Sequence, residues 1–373
     1  MTLHTITKRS DRSGFLKEAT GSDIQFIEEV FIDDESKVHC ENLIGAITIP
    51  LGVAGPITIH GESIKGEYYV PLATTEGALV ASVNRGTKVI SEAGGANVFA
   101  YKVGTTRGPV FYTPTLSTQR TFYQWLKTNE TALKQTAEST SGHLKYKKMV
   151  IRTAGQYTFV RFVFDTDDAM GMNMATIASQ KIVEYIQKET HVECLGVAGN
   201  FDIDKKAAWL NFIENRGFKV WAEVIIPEKI VQTRLKTTPK KLHEVWLAKC
   251  MFGSAMSGSL GFNAHYANIV AAVFAATGQD LAHVVEGSMG ITSAIVQDDG
   301  SLHFSVYLPA VMVGTVGGGT GLKTQTEARN IIKVNKSNEL AEIVGAAVLA
   351  GELSLLASIA EGSLARSHAK LGR

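Results

Sequence analysis

The 373-residue chain carries 37 basic and 36 acidic residues, which gives a formal net charge of +1 at neutral pH. Because the charges nearly balance and no long basic run occurs, the composition argues against a nucleic acid partner. With 45% hydrophobic and 20% charged residues, the chain is typical of a globular protein with two or three domains.

The cysteines and the N-terminus indicate the cellular compartment of the protein. Cys40, Cys194 and Cys250 are widely spaced, and an odd number at such spacing fits neither a disulfide framework nor a zinc site. The opening stretch MTLHTITKRSDRSGF has early basic residues but no apolar run after them, unlike a secretory signal. We therefore expect a cytoplasmic protein without a metal site.

The composition and the apolar pattern of the sequence change along the chain. Residues 1–40 are polar and mildly helical, whereas short apolar runs between glycine and proline begin at Glu41 and lead to a helix predicted near Thr75. Residues 108–196 combine helical patterns with two strands around an Ala-Gly turn. This middle part is typical of a compact α+β insert.

Two stretches predict closely packed helices. Residues 254–278 are rich in Gly, Ala and Ser and predict one long helix at the centre of the larger domain. Residues 343–362 are long and apolar enough for a membrane span. Because Glu352 lies at their middle and no aromatic belt or basic flank marks a membrane interface, we predict a buried helix instead.

Two glycine-containing stretches allow alternative interpretations. In DTDDAMGMNMATIASQKIVEY, residues 165–185, Asp168 caps the following helix and the methionines fill a core, or Gly171 lets the backbone approach a phosphate at the helix start. GTVGGGTGLKT, residues 314–324, is a flexible loop or a backbone site for a phosphate or carboxylate. It matches neither the dinucleotide fingerprint nor the P-loop template.

Carboxylates at two positions have either structural or catalytic interpretations. Glu76 is predicted in the first turn of a helix, where it complements the helix dipole. To donate protons there, it requires burial or a second carboxylate nearby. Asp280 follows the predicted long helix and is a candidate for that second carboxylate, or else it caps the next helix.

Basic residues at two further positions also have two interpretations each. AGNFDIDKKAAW is a solvated charged turn, or it holds Lys205 desolvated between carboxylates as a cation for a developing oxyanion. His368, near the C-terminus, is an exposed tail residue, or a proton donor where the tail folds over a cleft.

Taken together and in order, these stretches resemble 3-hydroxy-3-methylglutaryl-coenzyme A (HMG-CoA) reductase of the class I type. The resemblance spans residues 41–368 and rests on ENLIGAITIPLGVAGP, VPLATTEGALVASVNRG, TTRGPV, DAMGMNM, GNFDIDKK, GSAMSGSLGFNAHYANIVAAVFAATGQD, GTVGGGTGL and AGELSLLASIAEGSLARSH. It implies the reduction of HMG-CoA to mevalonate and free coenzyme A with two NADPH, in isoprenoid biosynthesis. NADH stays open as the alternative cofactor, and no metal is implied.

The resemblance also implies roles for particular residues. Lys205 stabilises the carbonyl oxyanion, Glu76 supplies protons, and Asp280 bonds between them. His368 protonates the departing thiolate of coenzyme A. The implied substrate contacts are Arg107, Asp204, Lys206, Lys249 and Asn268. The implied cofactor contacts are Ser141, Asp168, Met170, Gly171, Met172, Asn173, Val316 and Gly317.

The fold implied by the resemblance is α+β, with a large α/β domain around a long central helix and an inserted ferredoxin-like small domain that binds the cofactor. The implied segments are a helical N-terminal region at 1–40, a large domain at 41–107 and 208–373, a small domain at 108–196, and a loop at 197–207. The implied assembly is a homodimer, or two dimers paired into a tetramer, with the active site between subunits. The chain lacks the membrane region of anchored relatives, so we expect a soluble enzyme.

Two positions depart from the family pattern. Ala198 stands where class I relatives usually have Ser, and losing that hydrogen bond weakens substrate binding by about tenfold. Gly142 stands where many relatives carry an Arg near the 2′-phosphate of NADPH. His143, Lys145 and Lys147 are the candidates to replace that Arg.

Two other functions fit part of the same pattern. A coenzyme A thioester hydrolase or lyase uses the same Lys, Glu and His without a redox cofactor. A non-catalytic homologue binds coenzyme A thioesters only, but the presence of all four implied catalytic residues argues against it.

Overall fold

The computed structural model describes residues 6–30 and 38–362. The helices are α1 (Arg9–Thr20), α2 (Gln25–Glu29), α3 (Leu79–Glu92), α4 (Leu116–Thr128), α5 (Glu130–Glu138), α6 (Met172–Thr190), α7 (Trp209–Ile213), α8 (Glu228–Arg234), α9 (Pro239–Trp246), α10 (Ser254–Ser257), α11 (Tyr266–Thr277), α12 (Val284–Gly287), α13 (Lys323–Ile332) and α14 (Ser337–Glu361). A π-helical turn, Leu247–Gly253, joins α9 to α10, and 3₁₀ turns cover Leu281–His283 and Gly318–Gly321.

The strands form a mixed sheet. They are β1 (Leu51–Gly61), β2 (Lys65–Ala73), β3 (Ala96–Arg107), β4 (Val110–Tyr112), β5 (Lys145–Ala154), β6 (Tyr157–Asp165), β7 (Cys194–Gly196), β8 (Gly217–Ile226), β9 (Gly261–Phe262), β10 (Gly290–Val296) and β11 (Leu302–Val311). The order across the sheet is β7, β4, β6, β3, β8, β11, β10 and β9, with β5 beside β6, β1 beside β3, and β2 beside β1.

Strand β3 joins the two parts of this sheet. Its residues 97–104 pair antiparallel with β8, and residues 105–107 pair antiparallel with β6. Alternate residues of β3 are buried at its start, as expected for a strand with one face against a core. The end of β3 therefore places Arg107 where the two parts meet.

The buried apolar residues form two separate cores. The larger one surrounds α14 and includes residues of β1, β2, β3, β8, β10, β11, α3, α9 and α11. The smaller one lies between strands β4 to β6 and helices α4 to α6. The structure thus has the mixed α+β character that the sequence predicts, with helices packed on a large mixed sheet.

Helix α14 lies at the centre of the larger core. It is apolar and long enough to cross a membrane, with a mean hydropathy of 2.0, but 89% of that stretch is buried inside the protein. The prediction of a buried helix at 343–362 is therefore confirmed, although the helix begins earlier, at Ser337.

The carboxylate of Glu352 is used inside this core. It accepts the backbone N–H groups of Ala264 at 2.9 Å and His265 at 2.6 Å, and the hydroxyl of Thr292 at 2.6 Å. A buried carboxylate with several donors is stabilised in place. Glu352 therefore fixes the backbone that leads into α11.

Two predictions of helix position are wrong. Residues 254–278 do not form one helix, because Gly258 adopts a left-handed conformation with φ of 68° and ends α10. Strand β9 intervenes before α11 begins at Tyr266. The helix expected near Thr75 begins at Leu79, since Ala78 is also left-handed, with φ of 70°. Both breaks use αL residues, which end or delay a helix.

Helix α3 crosses α14 closely at Gly86. A Cβ atom added at Gly86 would lie 2.0 Å from the backbone oxygen of Ala350. Backbone atoms on the facing helix cannot move away as a flexible side chain can, so only glycine permits this approach.

We predict that Gly86→Ala lowers the free energy of unfolding by about 3 kcal/mol, because the added methyl group overpacks the helix crossing. The measurement is urea denaturation followed by circular dichroism, at one fixed protein concentration. Gly14→Ala is the matched control: Gly14 lies in α1 with no atom within 4 Å of its added Cβ. Alanine should stabilise that helix by about 0.5 to 1 kcal/mol, and equal losses in both variants would contradict the packing argument.

Candidate active site

Lys205 and Asp280 form an ion pair at the edge of the larger core. The Nζ of Lys205 lies 2.8 Å from Oδ2 of Asp280, and the two side chains are 40% and 36% exposed. The backbone of Lys205 is left-handed, with φ of 58°, and its N–H donates to Oε1 of Glu286 at 3.3 Å. A fixed cation that a ligand can still reach is the arrangement that stabilises a developing oxyanion.

Asp280 occupies the position that the sequence predicts. It follows the C-terminal end of α11, and its Oδ1 accepts the N–H of Ala282 at 3.1 Å, which caps the next short helix. Burial works against ionisation, but the hydrogen bond from Lys205, with the further help of His283, lowers the pKa of the carboxyl below its usual value. Asp280 is therefore an ionised partner of Lys205.

A second group of charges surrounds Asp204. The guanidinium of Arg107 donates to Oδ2 of Asp202 at 3.1 Å and to Oδ2 of Asp204 at 3.3 Å. Arg107 also donates to the hydroxyl of Thr176 on α6 at 2.7 Å. Burial opposes the ionisation of Asp204, but Arg216 and other nearby cations lower the pKa of its carboxyl. Arg107 thus links the two parts of the sheet at the site.

Sequence reasoning missed the residues beneath this group. Arg216 is fully buried; it contacts Oε1 of Glu286 at 2.5 Å and Oδ1 of Asp204 at 3.0 Å. His283 is also fully buried, with Nδ1 at 2.7 Å from the same oxygen of Glu286. The three-residue spacing of Asp280, His283 and Glu286 would have placed them on one helical face.

Asp204, His283 and Glu286 have ligand atoms within 4.8 Å of one another, as in a metal site. The guanidinium of Arg216, however, contacts both carboxylates of this group. A cation of the protein itself therefore already pairs with both carboxylates and partly neutralises them.

The remaining implied substrate residues lie around a nearby cavity or on the loop. Lys249 is in the π-helical turn and lines a cavity of about 830 Å³ together with Asn268, His265 and Ala207. Such turns are frequent at functional sites. Lys206 is exposed, and its Nζ donates to the backbone oxygen of Asp204 at 3.1 Å.

Glu76 is not bonded to the Lys205–Asp280 pair in the part of the chain that the structure describes. It sits in the turn that precedes α3 and is exposed, so it is not in the first helical turn. Its backbone N–H donates to the hydroxyl of Thr74 at 3.0 Å. Within residues 6–30 and 38–362, its carboxylate makes no hydrogen bond or ion pair, so one chain does not bring Glu76 to Lys205.

Asp168 links the two glycine-containing stretches. Its Oδ1 accepts the N–H of Ser337 at 2.8 Å, at the start of α14, and its carbonyl accepts the N–H of Thr315 at 2.8 Å. Ala169 pairs with Val316 in a parallel bridge. The interpretation of Asp168 as the cap of the following helix is wrong, because it caps α14 instead of α6.

The start of α6 is built on Gly171. Its φ is 87°, and an added Cβ atom would lie 2.3 Å from the hydroxyl oxygen of Thr166. Met172 beside it is buried, and Arg216 donates to its sulfur at 2.8 Å. Thr105 donates to the carbonyl of Met170. The loop is thus rigid, while Asn173 at the helix start remains exposed.

The loop that contains Gly142 reaches the same region. The hydroxyl of Ser141 lies 3.8 Å from the sulfur of Met174 on α6. Nδ1 of His143 lies 2.9 Å from Oδ2 of Asp167, and both side chains are exposed. The ammonium of Lys147 instead donates to the carbonyl of Lys102 at 2.9 Å.

The remaining predicted positions lie on loops or outside the described residues. Ala198 lies on the loop before the charged turn, and the adjacent Gly199 N–H donates to the carbonyl of Gly108 at 2.7 Å. Val316 and Gly317 are exposed beside the Asp168 loop. His368 lies outside the described residues.

A solved structure shows the same fold. It is the class II 3-hydroxy-3-methylglutaryl-CoA reductase of Streptococcus pneumoniae, bound to NADPH in open conformations, with a TM-score of 0.73 at 18% identity. The match covers 95% of this chain and 97% of that chain. At this level of identity, the likeness supports the fold alone.

Sequence comparison identifies the family. The family model of hydroxymethylglutaryl-coenzyme A reductase matches residues 8–373. The 3-hydroxy-3-methylglutaryl-coenzyme A reductase of Methanothermobacter thermautotrophicus is 49% identical over 368 residues, which cover 97% of this chain and 92% of that protein. The corresponding reductase of Methanocaldococcus jannaschii is 49% identical over 373 residues, with the same two coverages of 97% and 92%. The chain therefore belongs to the HMG-CoA reductase family.

Proposed function

We propose that this chain reduces (S)-HMG-CoA to mevalonate and free coenzyme A with two NADPH, as a class I enzyme of the mevalonate pathway. The observation that carries the proposal is the reachable Lys205 ammonium, held 2.8 Å from the ionised Asp280. A carbonyl that accepts a hydride becomes an oxyanion, and a fixed cation stabilises that charge. Lys205 has this role in both reductions.

Protons and substrate contacts complete the mechanism. The first reduction converts the thioester to a hemithioacetal, which releases the thiolate and leaves an aldehyde, and the second yields the alcohol. His368 protonates the thiolate, and Glu76 supplies a proton during reduction. Arg107, Asp204, Lys206, Lys249 and Asn268 hold the free carboxylate and the hydroxyl of the substrate.

The loops around Asp168 fit a dinucleotide. NADPH supplies the hydride when bound. Within the described residues no side chain caps the start of α6, and backbone N–H groups at such a helix start suit a phosphate. Val316 beside it is 61% exposed. We assign the cofactor contacts to Ser141, Asp168, Met170, Gly171, Met172, Asn173, Val316 and Gly317.

The active chain is a homodimer in this proposal, and two dimers pair into a tetramer as the larger assembly. Phe99, Trp221, Tyr307 and Ile291 are paired across four adjacent strands. They form a row on the sheet face opposite α14, where Phe99, Trp221 and Ile291 are exposed. Such an apolar row favours association with a second copy.

Glu76 is not bonded to Lys205 within the described residues of one chain. We therefore assign the proton donor at each site to Glu76 of the partner subunit.

The two cores support the proposed division into domains. The larger core corresponds to residues 41–107 and 208–373, and the smaller one to a cofactor-binding domain at 108–196, with 197–207 as the loop between them. The free cysteines suit a reducing cytoplasm, where we place the enzyme.

We predict that Lys205→Met lowers kcat by about 10² to 10³, because the oxyanion loses its cation. The measurement is HMG-CoA-dependent oxidation of NADPH, with mevalonate and free thiol quantified. Lys181→Met is the matched control, since Lys181 pairs with Glu184 on the exposed side of α6. Thiol release by the wild-type chain without NADPH oxidation would instead indicate a thioester hydrolase or lyase.

We predict that the wild-type chain prefers NADPH over NADH, and that the double variant His143→Ala/Lys145→Ala raises KM for NADPH by about tenfold. Both side chains are exposed, and the pairing of His143 with Asp167 is itself open to solvent, so both can meet a 2′-phosphate. Steady-state kinetics with both cofactors measure the effect, and KM for NADH should not change. Lys147→Ala is the comparison, because the ammonium of Lys147 already donates to the backbone carbonyl of Lys102. A wild-type preference for NADH would overturn the cofactor assignment.

A further inference from the structure

We propose that His283 is a positioning residue, held as an imidazolium between two carboxylates, which keeps Asp280 ionised and directed at Lys205. This inference rests on the proposed function of the Lys205–Asp280 pair and deepens it. His283 lies in the 3₁₀ turn that Asp280 caps, and its side chain is fully buried. It does not itself reach the surface that a substrate would contact.

Each ring nitrogen of His283 faces a carboxylate oxygen. Nδ1 lies 2.7 Å from Oε1 of Glu286, and Nε2 lies 3.6 Å from Oδ2 of Asp280. An ionised carboxylate only accepts hydrogen bonds, and a neutral imidazole has a single N–H to donate. Both contacts are therefore attractive only when both nitrogens carry a proton.

The contact between Nε2 of His283 and Asp280 is longer than a hydrogen bond. Nε2 of His283 has no hydrogen-bond partner in the part of the chain that the structure describes. A buried polar atom without a partner is costly, so a favourable neighbour is expected within reach. Oδ2 of Asp280, 3.6 Å from Nε2, is such a neighbour and also contacts Lys205. A small rotation of the Asp280 carboxylate would close the gap.

The charges around His283 favour the same protonation state. Asp204, 3.8 Å from Nδ1, favours a proton on that nitrogen, whereas the like charge of Arg216, whose Nη1 lies 3.4 Å from the same atom, opposes it. The linked cluster has four carboxylates and three permanent cations, which are Asp202, Asp204, Asp280, Glu286, Arg107, Lys205 and Arg216. An unbalanced buried charge is unfavourable. A protonated His283 balances the cluster.

The consequence for Asp280 is electrostatic and geometric. Burial alone would favour its neutral form, yet the hydrogen bond with Lys205 and the charge of His283 lower the pKa of its carboxyl. An ionised Asp280 leaves the proton on Lys205, so the ammonium remains available to the oxyanion. His283 thus acts on the reaction through Asp280.

The protonation state can be read directly by NMR. In the full-length wild-type protein labelled with ¹⁵N-histidine, we expect the His283 signal to show both ring nitrogens protonated at pH 7.5. The signal is assigned by its absence in His283→Gln, and its slow exchange with water identifies this buried ring even where the variant does not fold. A single protonated nitrogen would overturn the inference.

Kinetics test the positioning role. In His283→Gln an amide nitrogen and an amide oxygen replace the two ring nitrogens, and the oxygen cannot donate to the carboxylate that it faces. The kcat for HMG-CoA-dependent NADPH oxidation should therefore fall on the order of tenfold. KM for HMG-CoA should change little, since His283 is buried away from the substrate. The pH profile of kcat should also change, which a purely structural defect would not produce. His60→Gln is the control, because among the described residues that exposed imidazole bonds to the carbonyl of Gly94 and to no charged group.

The outcomes separate this inference from the proposed function. A wild-type chain that does not oxidise NADPH with HMG-CoA would sink the proposed function, while the NMR result would still decide the state of His283. If the wild-type chain is active and its His283→Gln variant keeps the wild-type kcat and pH profile, the positioning role is contradicted.

Discussion

The candidate site depends on the buried guanidinium of Arg216. It contacts the carboxylates of Asp204 and Glu286, donates to the hydroxyl of Thr106 at 2.9 Å, and donates to the sulfur of Met172. One side chain therefore joins β3, the charged turn, the helix after α11 and the start of α6. Planar guanidinium groups suit such multiple contacts, and removing one partner from a buried ion pair is strongly destabilising.

This network explains how the two parts of the chain meet at one place. The ion pair of Lys205 and Asp280 lies directly above it, where both side chains are partly exposed. The loop of Asp168 packs against the start of α14 and against the glycine-rich stretch after β11. The proposed hydride donor site and the oxyanion cation are thus both anchored to the same buried elements. Glu76, the proposed proton donor, is not bonded to this group within the described residues, and in our proposal a second subunit supplies it.

Local sequence patterns predicted some of these features and could not predict others. The cap formed by Asp280 and the buried helix around Glu352 follow from neighbours along the chain. Asp168 bonds to Ser337, which is far away in sequence. Local patterns could not show this contact, so the prediction that Asp168 caps the helix directly after it was wrong. Arg216 had no local signal at all, because its partners come from four different segments. The break at Gly258 depends on a left-handed backbone that composition alone did not reveal.

The central claim is that each active site combines Lys205 and Asp280 of one chain with Glu76 of the partner subunit. Glu76→Gln and Lys205→Met chains, inactive alone, would be co-expressed with different tags, and HMG-CoA-dependent NADPH oxidation measured on the mixed dimers. Our account predicts recovery to roughly a quarter of wild-type activity in an unsorted mixture, since half of the dimers are mixed and have one intact site. If Glu76 acted within its own chain, every site would carry a defect, and the absence of any recovery would contradict the account.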